Sequence, residues 1–343
     1  MIQTAILGGG PAGAYCACCL TENDIYPTIF DPTHPREKPC GGLVTALAQN
    51  LFPFLNRIPI EHSSRNKIYL IFPSGNRMCL RLRDWILGFS RLKFDQYLVN
   101  RAVRKGAELI EEKVVALKKK GNLWQLKTAK QTYMAKFLIG ADGVNSIVRR
   151  EVIGPLSVKD KGLCIGYLVK ELEDEDITIK FSPYRKGFMW VIPRALNTSL
   201  GIATTEISVS RGLKKELDMF IQQNYPDIKK ISRWAALIPN VKDTKIFNTP
   251  LAGTNWVLIG DAAGHVDPVS GEGILYALLD GKLAAQAVAE NTPKQFDKLW
   301  KETYGRNLFT AIKMRKWIYK KAVLELYCES LRFLNRIQPT FII

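Results

Sequence analysis

Three short apolar runs in the chain are each followed at once by a glycine turn. The runs are Ile2 to Leu7, Phe137 to Ile139 and Trp256 to Ile259. Short apolar runs bounded by turn residues are typical of strands that are buried on both faces. Because parallel strands of this kind alternate with helices, the pattern predicts an α/β class for this part of the chain.

The first of these turns carries the most informative spacing. A helix is predicted after it, over Ala14 to Leu20, and the strand Thr28 to Phe30 then ends in an acid. In such a unit the glycines allow the turn, a close approach of the backbone to a pyrophosphate and tight helix packing. The helix N-terminus offers N–H groups to phosphate, and the acid accepts hydrogen bonds from ribose. The predicted dinucleotide contacts are Gly8, Gly10, Pro11, Ala12, Gly13 and Asp31.

Between the second and third runs the pattern changes to several short strands. We predict strands over Leu163 to Val169, Ile177 to Phe181, Phe188 to Ile192 and Ser199 to Thr204, and a helix over Leu213 to Asn224. Strands in this spacing indicate an antiparallel sheet inserted into the nucleotide-binding domain, where it would form a wall for a substrate. The candidate substrate-binding residues are Tyr184, Phe188 and Trp190, although aromatic residues in strands are also typical of a plain core.

Composition and charge narrow the class of protein. The chain has 343 residues, 47% of them apolar and 24% charged, which favours a globular enzyme with a large core. No plausible membrane span is visible, and the uncharged N-terminal run has no basic region before it and is interrupted by glycines, so it is not predicted to be a signal peptide. We therefore expect a cytoplasmic protein, with the inner face of the membrane as a peripheral site.

The net charge of +17 calls for an anionic partner. No nucleic-acid-binding motif is present. Much of the charge lies in the segment Lys313 to Lys321, where basic residues alternate with Trp317, Ile318 and Tyr319. A basic helix with aromatic residues is typical of an anionic membrane surface, an acidic electron donor would suit the same charge, and a helix packed on its own domain is the simpler alternative.

Cysteine and histidine usage does not predict a metal site. With seven cysteines and no secretory signal, a disulfide framework is not expected. Cys16 and Cys19 form a C-x-x-C pair that would suit redox or metal chemistry, but on an apolar helix they are better explained as small packing residues beside Cys18. The three histidines are not spaced like metal ligands.

The three glycine turns, taken in order, resemble the FAD-dependent oxidoreductases of the p-hydroxybenzoate hydroxylase type. The third turn is followed by a predicted helix over Ile274 to Ala289, whose N-terminus would face the flavin pyrimidine edge. In this resemblance Asp142 and Gly143 border the pyrophosphate, Asp261 binds the ribityl chain and Arg91 lies against phosphates and ribityl. The further contacts that the resemblance implies are Val114 at the adenine, Gly260, Pro268, Gly271 and Gly273.

Two further segments are similar to the geranylgeranyl reductase family. They are the loop Arg36-Glu37-Lys38-Pro39-Cys40-Gly41-Gly42 and the strand Gly187-Phe188-Met189-Trp190-Val191-Ile192-Pro193. The resemblance implies hydride transfer from reduced flavin N5 to carbon–carbon double bonds of a prenyl lipid or pigment precursor. It implies Cys40 as a catalytic residue, with Lys38, Gly41 and Gly42 at the cofactor. The reductant would be external, either NADPH or a ferredoxin-like carrier.

The resemblance also implies a domain division. Residues 1–65, 90–155 and 250–292 would form a Rossmann-type FAD-binding domain, residues 66–89 and 156–249 an antiparallel-sheet substrate domain, and residues 293–343 a C-terminal helical segment. Two alternatives remain open. Gly187 to Pro193 is close to the Gly-Trp-x-Trp-x-Ile-Pro strand of flavin-dependent halogenases, although Lys67 has no context that marks it as their lysine, so a monooxygenase or halogenase is the runner-up. A flavin-bearing electron carrier or membrane-binding module is the other.

Overall fold

The computed structural model describes residues 1–170, 172 and 175–337. The chain divides into two compact units. Unit 1 comprises Met1–Arg36, Leu92–Asp160 and Pro239–Lys313. Unit 2 comprises Glu37–Arg91, Lys161–Ile238 and Met314–Ile343. The predicted three-part domain division stays a prediction.

Strands and helices are interspersed in the first third of the chain, and helices follow the last strand of the described part. The strands are β1 (Ile2–Leu7), β2 (Thr28–Phe30), β3 (Leu43–Val44), β4 (Ser63–Ile71), β5 (Arg77–Gly88), β6 (Glu108–Ile110), β7 (Ala116–Lys120), β8 (Leu123–Lys127), β9 (Thr132–Gly140), β10 (Lys161–Val169), β11 (Ile177–Ser182), β12 (Gly187–Pro193), β13 (Thr198–Thr204), β14 (Lys230–Pro239) and β15 (Trp256–Leu258). The helices are α1 (Pro11–Thr21), α2 (Ala46–Leu51), α3 (Arg91–Arg104), α4 (Ile147–Val152), α5 (Leu213–Asn224), α6 (Ile274–Ala289), α7 (Phe296–Trp300), α8 (Arg306–Ile318) and α9 (Lys321–Ile337).

The sheet of unit 1 is built on the predicted apolar runs. Its order is β6-β2-β1-β9-β8-β7, and β15 pairs with β9. The pairs β6–β2, β2–β1, β1–β9 and β9–β15 are parallel, whereas β7, β8 and β9 pair antiparallel. Both β1 and β9 end in buried residues, as strands covered on both faces do. The predicted α/β class is therefore confirmed.

The sheet of unit 2 has the order β14-β10-β13-β12-β11-β4-β5-β3. Strands β10 to β13 are joined by antiparallel pairs, with Trp190 opposite Gly201, as predicted for the inserted sheet. The pair β11–β4 is parallel, so the sheet as a whole is mixed and not purely antiparallel as predicted. Side chains on β12 alternate between two apolar layers. Met189 and Val191 pack with residues of α5, whereas Trp190 and Ile192 belong to a second layer on the other face.

The segment before Val114 is only partly a strand. After Gly106, strand β6 covers Glu108–Ile110 and ends there. The amide of Val115 instead donates to Lys127, where the next hairpin begins.

The apolar positions Ile312, Tyr319, Val323, Leu326 and Leu334 fall at helical spacing in the sequence, which predicts one shared helical face. The helix is interrupted between α8 and α9, so the buried side of α9 does not continue the helical spacing of α8. Leu324, Cys328 and Leu331 are the buried residues of α9, and Leu326 is 69% exposed. The side chain of Leu334 lies outside the described part. Among the described residues no helix is long and apolar enough to cross a membrane.

Candidate functional site

The first glycine turn fits a phosphate at the N-terminus of α1. A side chain at Gly13 would place its Cβ 2.0 Å from the carbonyl oxygen of Gly8, and Gly8 itself has φ +105°. At Gly10, by contrast, a Cβ would meet no atom within 4 Å, and Gly10 makes no side-chain cap for α1. The turn therefore has no room for a side chain at Gly8 or Gly13 and has open space at Gly10. Its uncapped helix N–H groups suit an anion.

Asp31 holds this turn in place. Its carboxylate accepts hydrogen bonds from the Gly9 amide at 2.9 Å and the Thr33 amide at 3.0 Å, and it forms an ion pair with Arg36 at 3.0 Å. Burial by itself would raise the pKa of Asp31, but these partners outweigh burial and lower the pKa below its ordinary value. The predicted contact with ribose stays a prediction. The carboxylate is ionised and a carboxylate can accept further bonds.

Close packing brings the first turn of α1 beside the middle of α6 and beside the turn at Gly260. A Cβ at Gly281 would lie 2.8 Å from the carbonyl oxygen of Ala12, and a Cβ at Gly260 would lie 2.9 Å from the Ala12 side chain. The apolar side of α1 is also buried, including Cys16, Cys18 and Cys19, as the sequence predicts. Burial raises the pKa of the Cys18 thiol to about 11, so it stays protonated at neutral pH.

The residue that is predicted to contact the ribityl chain, Asp261, lies shortly before α6. Asp261 lies in a turn of 3₁₀-helix, and its Oδ1 would be 3.7 Å from a Cβ at Gly273, the residue that begins α6. Gly273 gives α6 no side-chain cap. Gly271 has φ +74° and open space around it, and the carbonyl oxygen of Pro268 accepts a hydrogen bond from Asn240. We name these residues, with the α1 turn, the α1–α6 cradle. Two uncapped helix N-termini beside two carboxylates fit the diphosphate and ribityl parts of FAD.

The side chain of Asp142 is hydrogen-bonded within its own turn. Its Oδ2 accepts hydrogen bonds from the amides of Ile147 at 2.7 Å and Val148 at 3.3 Å, so it caps α4. Burial raises the pKa of Asp142 despite these bonds. The neighbouring Gly143 has φ +82° with open space around it. A phosphate contact at this pair would fall to Gly143, and it stays a prediction, as does the adenine contact of the buried Val114.

In unit 2, the loop that contains Cys40 is anchored by two residues that the sequence did not single out. The fully buried guanidinium of Arg194 pairs with Glu37 at 2.8 Å. Glu37 also accepts a hydrogen bond from the Ser90 hydroxyl and one from the Arg91 amide at 3.1 Å, where α3 begins. Burial would raise the pKa of Glu37, but Arg194 and these donors lower it below its ordinary value. The Arg91 side chain is buried, and Lys38 is half-buried.

Hydrogen bonds connect the same loop to the predicted substrate strand. Trp190 Nε1 donates to the Ser199 hydroxyl at 3.1 Å, and Ser199 donates to the carbonyl oxygen of Cys40 at 3.3 Å. The Gly42 amide contacts Cys40 Sγ at 3.3 Å, and a Cβ at Gly41 would lie 2.7 Å from Ile192. The structure thus brings Cys40, Gly41, Gly42 and Trp190 together.

The layer around Trp190 is apolar and only partly buried. Trp190 stacks on Trp234 with ring centroids 6.0 Å apart, and the ring centroids of Phe188 and Trp190 are also 6.0 Å apart. Gly201 leaves the space that the indole of Trp190 occupies. We name this layer the Trp190 face. Its members are Ile86, Cys164, Ile177, Trp190, Ile192 and Ala203, with the partly buried Leu43, Ile68, Leu82, Ile179, Phe188, Trp234 and Ile238.

Tyr184 does not belong to the Trp190 face. It lies in a 3₁₀ turn before β12, it is 77% exposed, and its ring contacts the guanidinium of Arg185. Within the described part of the chain no group of three or more His, Cys, Asp and Glu residues could hold a metal ion.

Comparisons with known proteins agree with this geometry. A family model described as an FAD binding domain matches residues 86–306, more than half of the chain. The geranylgeranyl diphosphate reductase of Rhodobacter capsulatus is 28% identical over 82% of this chain and 73% of its own length. The digeranylgeranylglycerophospholipid reductase of Methanocaldococcus jannaschii is 24% identical over 94% of this chain and 88% of its own.

A solved structure has the same fold. It is a geranylgeranyl bacteriochlorophyll reductase-like protein from Thermoplasma acidophilum, with a TM-score of 0.79 at 19% identity, covering 94% of this chain and 89% of that one. The predicted Rossmann-type FAD-binding fold and the predicted enzyme class are confirmed. The chain belongs to the family described as FAD binding domain, and proteins named as geranylgeranyl reductases are among those that it resembles.

Proposed function

We propose that the protein reduces carbon–carbon double bonds of a prenyl lipid or pigment precursor of the geranylgeranyl type. The observation that carries the proposal is the Trp190 face, an apolar and partly exposed layer connected by hydrogen bonds to the loop of Cys40. The named activities of the Rhodobacter and Methanocaldococcus relatives support it. A prenyl chain is apolar, so it would gain free energy by leaving water for such a surface.

The proposed roles divide between cofactor and substrate. Bound and reduced, the flavin would supply a hydride from N5 to one alkene carbon, and a proton that comes ultimately from solvent would reach the other carbon. The α1–α6 cradle would bind the dinucleotide, with Asp261 fixing the ribityl chain. Phe188 and Trp190 would hold the alkene and exclude water, which matters because an isolated double bond is not polarised and reacts only when positioned closely.

Cys40 is our candidate for a side chain that contacts the reacting atoms. It is half-buried, and Gly41 and Gly42 leave little bulk beside it. Burial, and Cys40 nearby, raise the pKa of the neighbouring Cys164 thiol to about 12, so Cys164 stays a neutral thiol at physiological pH. The reductant that we propose is external, NADPH or a ferredoxin-like carrier.

A second part of the proposal concerns the membrane. Trp317 at the end of α8 is 59% exposed, and the Lys320 ammonium lies 3.9 Å from the centre of its ring. Arg315 and Tyr319, from the same basic segment, point inward instead, since both are buried and Arg315 donates to the carbonyl of Thr205. We propose that Trp317 and the exposed lysines beside it bind anionic lipid reversibly, where a prenyl lipid substrate would be found.

The direct test is a single turnover without oxygen. The flavin is photoreduced, a geranylgeranyl lipid is added, and the product is weighed by mass spectrometry. The proposal expects flavin reoxidation coupled to a product that has gained two hydrogens. A product that gains oxygen or halogen, formed only when oxygen is admitted, would instead favour the monooxygenase or halogenase alternative.

A further inference from the structure

A buried polar cluster lies beneath the α1–α6 cradle. We name it the Asp280 cluster, and its members are His265, Asp280 and Tyr304. His265 and Asp280 are fully buried, and Tyr304 is 4% exposed. His265 Nδ1 lies 2.8 Å from Asp280 Oδ2 and 2.7 Å from the Tyr304 hydroxyl, which also donates to Asp280 Oδ1. The predicted cofactor contacts include neither Asp280 nor Tyr304.

The cluster contacts the cradle through one backbone amide. The Gly260 N–H donates to Asp280 Oδ2 at 2.7 Å. Gly260 has φ +59°, and Ala12 leaves no room for a side chain there, so the backbone at this position is fixed by glycine. The next residue is Asp261. A shift of the Gly260 amide would therefore move the carboxylate that is proposed to bind the ribityl chain.

The surroundings of the cluster are buried and aromatic. The His265 ring lies 4.4 Å from the ring of Trp300 and 5.4 Å from the ring of Phe247. A carboxylate is costly in such a place unless donors surround it. Asp280 accepts from two donors, the Gly260 amide and the Tyr304 hydroxyl, and His265 Nδ1 lies at hydrogen-bond distance from its Oδ2. Burial, followed by Asp280, raises the pKa of Tyr304 well above its ordinary value, so its hydroxyl stays a donor.

The helix that carries Tyr304 is irregular at this point. Residues Lys301–Gly305 form a π-helical turn between α7 and α8. Such turns interrupt the regular hydrogen bonding of an α-helix and are frequent at functional sites. Here the turn carries the tyrosine whose hydroxyl contacts both Asp280 and His265.

We propose that Asp280 is a positioning residue for the cofactor. Its carboxylate sets the Gly260 amide, and through it the backbone of Asp261, while Tyr304 and His265 hold the carboxylate. This inference rests on FAD binding by the α1–α6 cradle and does not depend on the identity of the substrate. A failure to reduce a prenyl lipid would therefore leave it standing.

The test compares Asp280→Asn with Asp297→Asn. Asp297 makes the same kind of contact in the same unit, accepting the Leu251 amide at 3.0 Å, and it also accepts from Trp300 Nε1 at 3.5 Å, whereas the Gly260 amide donates to Asp280. In Asp280→Asn the new NH₂ group is itself a donor, so it cannot accept the hydrogen bond that one of the surrounding donors gives to the carboxylate. We expect its FAD dissociation constant to rise about tenfold, the loss of one hydrogen bond to a charged group, and the visible spectrum and reduction potential of its bound flavin to change. Asp297→Asn lowers the melting temperature only.

Tyr304→Phe keeps the inference testable if Asp280→Asn does not fold. It removes one donor from Asp280 and leaves the Gly260 contact, so a smaller rise in the FAD dissociation constant and the same direction of spectral change are expected. The inference is overturned if Tyr304→Phe, like the control Asp297→Asn, has the same FAD affinity and flavin spectrum as wild type. It is equally overturned if Asp280→Asn folds and loses only thermal stability.

Discussion

The α1–α6 cradle and the Trp190 face are built from different parts of the chain. In the cradle, backbone meets backbone or small side chains, because Gly8, Gly13 and Gly281 leave no space for a Cβ. In the Trp190 face, large side chains from neighbouring strands pack on one another, and Trp190 needs a glycine across the strand pair to fit. The cradle would hold a cofactor, and the face would hold a substrate.

The difference predicts separable effects of substitution. In the cradle, a glycine whose Cβ would collide with backbone atoms cannot be replaced without displacing that backbone, because the packed interior has no spare room. A side-chain face can change shape while its sheet remains, because cores accept alternative packings. Substitutions in the cradle should therefore change folding or FAD affinity, and substitutions at the face should change what the bound flavin does.

The largest effect is expected on stability, for Gly13→Ala compared with Gly10→Ala. At Gly13 the new Cβ would lie 2.0 Å from the Gly8 carbonyl, whereas Gly10 has open space and extended backbone. We expect Gly13→Ala to lose at least about 3 kcal/mol of stability. Gly10→Ala should fold normally and bind FAD more weakly, because the methyl group occupies the proposed phosphate space. Thermal unfolding of the apoprotein and FAD titration measure the two. Equal unfolding temperatures for both variants would contradict the lack of room at Gly13.

The next effect concerns Asp261. Asp261→Ala removes the proposed ribityl acceptor, so FAD should bind about 10–100-fold more weakly, as for the loss of a hydrogen bond to a charged group. Asp243→Ala is a control, since Asp243 accepts only a local amide bond from Lys245 at 2.9 Å. FAD titration of the two apoproteins is the measurement. Wild-type affinity in Asp261→Ala would remove this residue from the cofactor site.

A change at Cys40 should leave cofactor affinity intact. Cys40→Ser is expected to bind FAD like wild type and to alter the rate or extent of double-bond reduction, the signature of a contact felt in the reaction. Cys79→Ser is the matched control, because Cys79 is exposed on β5. Stopped-flow reoxidation at equal FAD occupancy compares them. If Cys40→Ser lowers yield or stability and leaves chemistry per flavin unchanged, Cys40 has a structural role only.

The smallest effect is expected at the membrane surface. Replacing Lys316, Trp317 and Lys320 together, by Gln, Ser and Gln, should weaken binding to anionic phosphatidylserine vesicles. Binding by the wild type should fall as salt rises, since the attraction is screened over about 8–10 Å. The control replaces Lys118, Lys119 and Lys120 of β7, which are also exposed, by Gln. Vesicle cosedimentation that is independent of salt, or equal for both variants, would argue against the proposed surface.

Local signals account for what the sequence predicts well. The helices Leu213–Asn224 and Ile274–Ala289 begin and end where the pattern places them, and the glycine turns follow the strands expected to precede them. Each of these features depends on neighbouring residues. The residue pattern near a turn is therefore enough to predict it.

Long-range pairs account for what the sequence does not predict. Arg194 and Glu37 are 157 positions apart and meet only in the folded sheet, and Asp280 depends on Tyr304 from a separate helix. The helical spacing of apolar residues also failed to predict the buried positions of α9, because a two-residue interruption after α8 changes which residues face inward. Neither an ion pair nor a break of that kind leaves a local pattern in the residues around it.

The separation of the two regions can be tested in one measurement, the amount of hydrogenated prenyl product formed per bound flavin in a single anaerobic turnover. Wild type, Gly10→Ala and Cys40→Ser are compared at equal FAD occupancy. Our account predicts a product that has gained two hydrogens, in equal yield per flavin for wild type and Gly10→Ala, with a changed rate or yield for Cys40→Ser. No hydrogenated product from wild type, or a defect per flavin in Gly10→Ala with none in Cys40→Ser, would contradict it.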